Sequence, residues 1–182
     1  MRLCLSLAAF SLAAISPAAA LDLPARKPGL WELRTTHEGR NTPPQTMHQC
    51  IDAATDKMMS AMGGAMAASM CQSQNIRQVG GTFVIDATCK IGPMTTISRS
   101  VASGDFNSAY SVRVTSKVEG VPAQMQAMVG GNTVIEAKWV SACKQGQKPG
   151  DIIMADGKTM NIKNLEKMMS GAGSRQRGKP PQ

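Results

Sequence analysis

The chain has 182 residues, of which 42% are hydrophobic, 3% aromatic and 18% charged, with a formal net charge of +8. That length fits one domain, and so few rings exclude a core built on aromatic packing; Val, Ile, Leu, Met and Ala must fill it. The positive balance reads as solubility or as contact with an anionic surface.

Met1-Arg2 precedes an apolar run from Leu3 to Ile15, followed by Ser16-Pro17-Ala18-Ala19-Ala20. A short positive start, an apolar stretch of about a dozen residues and an A-x-A site describe a secretory signal peptide cleaved after Ala20. Cys4 sits in the apolar stretch without a lipobox, so no lipid anchor is expected. No later stretch reaches the roughly 18 apolar residues that a membrane helix needs. The expected product is periplasmic or secreted, and export sets nucleic acid aside as a partner. The expected plan is a signal peptide over 1–20, one domain over 21–170 and a disordered basic tail over 171–182.

Leu21 to Pro28 reads as a linker. GLWELRTTHEG (29–39) alternates as a strand, and NTPPQ (41–45) ends it because proline cannot donate to a sheet ladder. TMHQCI (46–51) follows as a short strand. Asp52 is then a candidate helix cap for the Met-rich segment DKMMSAMGGAMAASMC (56–71). QNIRQV and TFVIDATC flank Gly80-Gly81, a dipeptide suited to the positive φ angles of a tight hairpin. MTTISRSVA (94–102), SAYSVRVTSKV (108–118) and NTVIEAKWVSA (132–142) alternate as further strands, with turns at Gly104-Asp105 and Gly130-Gly131. Asp156-Gly157 marks a turn between two short apolar pieces, and NIKNLEKMMSGAG (161–173) reads as a helix ending near Gly171. The fold class is mainly β: a curved antiparallel meander, half-barrel or barrel-like, with one Met-rich helix and a short C-terminal helix.

Loss of the leader removes Cys4 and leaves Cys50, Cys71, Cys89 and Cys143. An even number of cysteines in an exported chain points to two disulfides, with three pairings open. No CxxC spacing is present and both histidines, His37 and His48, precede Cys50, so zinc-finger spacing is absent. A hairpin pairing Val79 with Thr82 sets Gln72 opposite Cys89, one residue away from a direct Cys71–Cys89 bridge. That bridge, tying neighbouring strands, is preferred together with Cys50–Cys143, which would close a long loop and staple the ends of the domain.

On a helix, Met59, Met62, Met66 and Met70 fall within an arc of about 80°. They are the candidate ligand-binding residues. Thioethers favour Cu(I), so Met59, Met62 and Met66 with His48 form an alternative metal set. Packing is the plainer role for such a stripe, and Gly63-Gly64 weakens the helix that would organise a metal site. No metal or other cofactor is assigned. Neither histidine lies in a GxSxG context, and Asp52, Asp56, Glu119 and Glu136 form no acid/base pair. No P-loop or dinucleotide fingerprint occurs. The chain is expected not to be an enzyme.

The segments PGLWEL (28–33), PPQTMHQC (43–50), Cys71, Cys89 and SACKQGQKPGDIIMADGKTMNI (141–162) resemble an exported bacterial family known as domain of unknown function 3617. The resemblance spans about 28–162 and implies an envelope protein with a β-rich domain and paired cysteines, but no activity. The sequence departs from the family pattern at 57–70, where a Met/Ala/Gly-rich stretch replaces a more polar one. The leading expectation is a non-catalytic periplasmic protein that binds an apolar small molecule or lipid, or supports the envelope. A soft-metal protein using the methionine stripe is one alternative. A structural protein touching an anionic envelope surface through its basic C-terminal segment, Lys144 to Lys179, is the other.

Overall fold

The computed structural model describes residues 23–168. The proposed leader and the tail over 171–182 lie outside them. Among the described residues nine strands form one antiparallel sheet: β1 (Gly29–His37), β2 (Gln45–Ile51), β3 (Cys71–Val79), β4 (Thr82–Ile91), β5 (Met94–Gly104), β6 (Ala109–Glu119), β7 (Gly131–Ser141), β8 (Asp151–Ile153) and β9 (Thr159–Asn161). Helix α1 (Ala53–Met70) joins β2 to β3, α2 (Ala123–Val129) joins β6 to β7, and α3 covers 162–168. The spatial order is β3-β4-β5-β6-β7-β1-β2-β8-β9, so the sheet is open and not closed into a barrel.

That order explains the length of α1. The chain leaves β2 and must reach β3, six strand spacings away, or about 29 Å at 4.8 Å each. The 18 residues of α1 span about 27 Å at 1.5 Å per residue. The helix is the return crossing that lets a consecutive meander, β3 to β7, hydrogen-bond on its last strand to β1.

The hairpins follow their turn chemistry. Gly80 and Gly81 have φ of 55° and 77°, and Val79 pairs with Thr82 as a two-residue loop requires. A bulge between Cys71 and Ser73 then absorbs Gln72, which the simple register had set against Cys89, and brings Cys71 opposite Cys89. Disulfides join Cys71 to Cys89 and Cys50 to Cys143. In the β5–β6 turn Asp105 accepts the N–H groups of Asn107, Ser108 and Ala109 and the Ser108 hydroxyl. The Ser108 hydroxyl and these N–H groups hold its carboxyl far below the usual range. Phe106 takes a left-handed φ of 56° there and is buried.

Strand alternation separates two faces. The inner face carries Trp31, Leu33 and Ala137, packed with Ile51, Met47, Ile135, Trp139 and Met59. A second cluster joins Phe83, Ala102 and Phe106. Tyr110 belongs to both: its ring stacks on Phe106 at 4.9 Å and tilts against Trp31 at 5.5 Å. The outer face alternates with these residues and is laced with charge, placing Glu32 beside Lys138, Arg34 beside Glu136 and Asp86 beside Arg99. Among the described residues no helix is long and apolar enough to cross a membrane.

Candidate functional site

The start of α1 is fixed by polar contacts that water cannot easily replace. Asp52 caps the helix: its carboxylate accepts the Thr55 N–H at 2.7 Å, while the Thr55 hydroxyl accepts the Asp52 N–H at 2.9 Å. The Thr55 N–H, followed by its hydroxyl, lowers the Asp52 pKa. One turn on, buried Asp56 receives the Arg26 backbone N–H at 2.8 Å and Nε at 2.7 Å. The same guanidinium donates Nη1 to the Gln49 side-chain oxygen at 2.7 Å and to the Tyr110 hydroxyl at 3.3 Å. Nη2 reaches the Met59 sulfur at 3.5 Å. Arg26 therefore links the segment before β1 to β2, β6 and α1 through one planar donor fork.

Beyond this anchor one flank of α1 presents apolar surface that, among the described residues, faces α3 and no strand. Ala54, Lys57, Met58, Ala61, Met62 and Ala65 recur at helical spacing along one flank and line a groove of about 540 Å³, bounded across from them by Glu166 of α3. Met58 and Met62 are half-buried in it. This is within the size range of small-ligand pockets, although it is open along one side.

The four methionines singled out in the sequence separate into different surroundings. Met59 packs into the main core and accepts from Arg26, so its role is structural. Met62 lines the groove, together with Met58, a residue the stripe left out. Met66 and Met70 share the azimuth of Met59, yet remain 47% and 38% exposed. His48 does not join them. It lies on the outer face, with Nε2 3.3 Å from Glu32, whereas Met59 packs on the inner face. The alternative set of Met59, Met62, Met66 and His48 is therefore divided by the sheet and cannot converge on one ion. A period-2 strand reading of TMHQCI already separates His48 from its core-facing neighbours Met47 and Gln49, which is the signal that the set overlooked.

A match to the family described as protein of unknown function (DUF3617) covers residues 26–143. The chain belongs to this family. No curated protein and no solved structure matches it. The DUF3617 match ends at Cys143, short of the 162 expected, so β8, β9 and α3 lie beyond the matched residues.

The residues that carried the DUF3617 resemblance have structural work in this chain. Gly29 sits at φ 136°, and a Cβ there would lie 2.5 Å from the Trp139 indole nitrogen and from the Ser141 carbonyl. The Trp31 indole donates to the Lys27 carbonyl at 2.8 Å and that of Trp139 to the Pro28 carbonyl at 3.0 Å. The Lys27 ammonium lies 3.7 Å from the Trp139 ring centre. Of PPQTMHQC, Met47 packs into the core, Gln49 accepts from Arg26 and Cys50 is disulfide-bonded. The groove instead draws on the flank of α1 between Ala54 and Ala65 and on Glu166, which lies outside the match.

Two elements of this DUF3617 chain escaped the sequence reading. Helix α2 was missed, although PAQMQAM offers good helix formers after a proline. The short apolar pieces around Asp156-Gly157 are the paired strands β8 and β9, with β8 also bonded to β2.

Proposed function

We propose that this DUF3617 protein is a non-catalytic, exported binding protein of the periplasm that holds an apolar, acyl-chain-sized ligand along the flank of α1. The observation that carries the reading is the groove lined by Met58 and Met62 on a helix anchored at both ends, by Arg26–Asp56 and by Cys71–Cys89. Methionine is suited to such a surface because its unbranched, polarizable side chain adapts to differently shaped apolar guests. The leader-like sequence of residues 1–20 and the two disulfides support the location.

Titration with N-phenyl-1-naphthylamine tests it. A saturable rise in fluorescence is expected, with affinity falling about tenfold or more in Met58→Gln/Met62→Gln, because two amides would be desolvated against the guest. Met66→Gln/Met70→Gln should bind as the wild type does. Absence of saturable binding, or equal binding by both double variants, contradicts the groove as the site.

A further inference from the structure

The outer face of the sheet carries a second concavity, of about 580 Å³, across β3 to β6. Its outward side chains include Asn75, Asp86, Thr88, Arg99, Thr115 and Lys117. Register places them together. Asn75 pairs with Asp86, Asp86 with Arg99 and Arg99 with Thr115, in one row across four strands. Ile97 pairs with Lys117, so Arg99 and Lys117 are diagonal neighbours, about 7–8 Å apart in such a ladder.

The charges in this row are unequally satisfied. Arg77 and Asp86 form the close pair, at 2.5 Å, and Arg99 reaches the other Asp86 oxygen only at 3.5 Å. One carboxylate thus faces two guanidiniums, and the Arg99 side chain is 57% exposed. Lys117 touches Glu119 at 2.8 Å and is itself 69% exposed. The local balance of Arg77, Arg99 and Lys117 against Asp86 and Glu119 is positive, beside an amide and two hydroxyls that can exchange hydrogen bonds with a polyol.

We propose that this face is a binding site for a soluble sugar phosphate. Arg99 and Lys117 hold the phosphate from two sides, and Asn75, Asp86 and Thr88 take the sugar hydroxyls. A guanidinium with free donors suits phosphate oxygens, and Asp86, steadied by Arg77, remains an acceptor for hydroxyl groups. The site is on the opposite face of the sheet from α1 and is independent of the groove there.

An amide-shift NMR titration of the mature protein with glucose 6-phosphate, glucose and inorganic phosphate tests this. Saturable shifts confined to β3–β6 are expected with glucose 6-phosphate, and weaker binding of both partial ligands. Arg99→Gln/Lys117→Gln, at exposed positions that leave the core untouched, should weaken binding about tenfold or more. Arg113→Gln, on the same face but outside the concavity, should not. No saturable shift, unchanged affinity in the double variant or an equal loss in Arg113→Gln overturns the site. Phosphate binding as tightly as glucose 6-phosphate overturns the role of Asn75, Asp86 and Thr88. Phosphatidylglycerol vesicles should leave the protein in solution; their capture through Arg99 and Lys117 would assign the site to a lipid headgroup and overturn the soluble ligand.

Discussion

Arg26 and Asp56 show how one buried pair can hold the start of a helix. Their side chains are 12% and 5% exposed, so removing one partner strands a charge in the interior. Asp56→Ala should cost about 3–5 kcal/mol in urea unfolding, whereas an apolar pair of similar volume at both positions should cost far less. Equal losses would show that the charges themselves, not their desolvation, set the stability. Asp52 is half-buried and answers to pH. Its pKa is lowered by Thr55, so its cap contribution is complete above the ordinary value of 3.8 and disappears as pH falls through the lower folded value. The stability gap between wild type and Asp52→Ala, measured from pH 6 downward, should therefore close only in strong acid. A gap independent of pH would contradict a charged cap. Asp52 was legible in the sequence as a cap because Asp is a preferred residue there; the Arg26–Asp56 pair was not, because 30 residues separate them and no local period connects them.

At the scale of the element, α1 is long because of topology and weak because of composition. Gly63 and Gly64 lie in its middle with open space around each, so added methyl groups meet nothing. Gly63→Ala/Gly64→Ala should stabilise the protein by about 1–2 kcal/mol in total, read as a higher melting temperature and more helical dichroism. No gain would mean that the helix is already fixed by its ends. Alternation made the strands readable, clearest where Trp31 and Leu33 of β1 face the core while Glu32 and Arg34 face outward. The position of Cys71 was readable only to within one residue, because the bulge at Gln72 leaves no mark in a period-2 pattern. The methionine stripe was legible as a helix face, but not the division of labour within it. Which thioether reaches the core depends on where the sheet curves away, and Met59 touches it whereas Met66 stays largely exposed.

For the molecule as a whole, the sheet is an open ribbon with one disulfide at its β3 edge and another tying β2 to the segment after β7. Cys50–Cys143 spans 93 residues and Cys71–Cys89 spans 18. Chain entropy assigns them about 4.7 and 3.2 kcal/mol, so Cys50→Ala/Cys143→Ala should lower stability more than Cys71→Ala/Cys89→Ala. The reverse order would mean that fixing the end of α1 matters more than closing the long loop. Cys50–Cys143 also secures the unit beyond the DUF3617 match, where the Gly150 N–H bonds to the Cys50 carbonyl and the Ile162 N–H to that of Gly150. That unit brings Glu166 to the edge of the groove. Native mass spectrometry of the protein expressed from its full-length gene and purified without detergent tests the central claim most directly. The account predicts a retained apolar adduct in the wild type that is lost in Met58→Gln/Met62→Gln. A bare mass in both, or an adduct with the mass of copper, would contradict it.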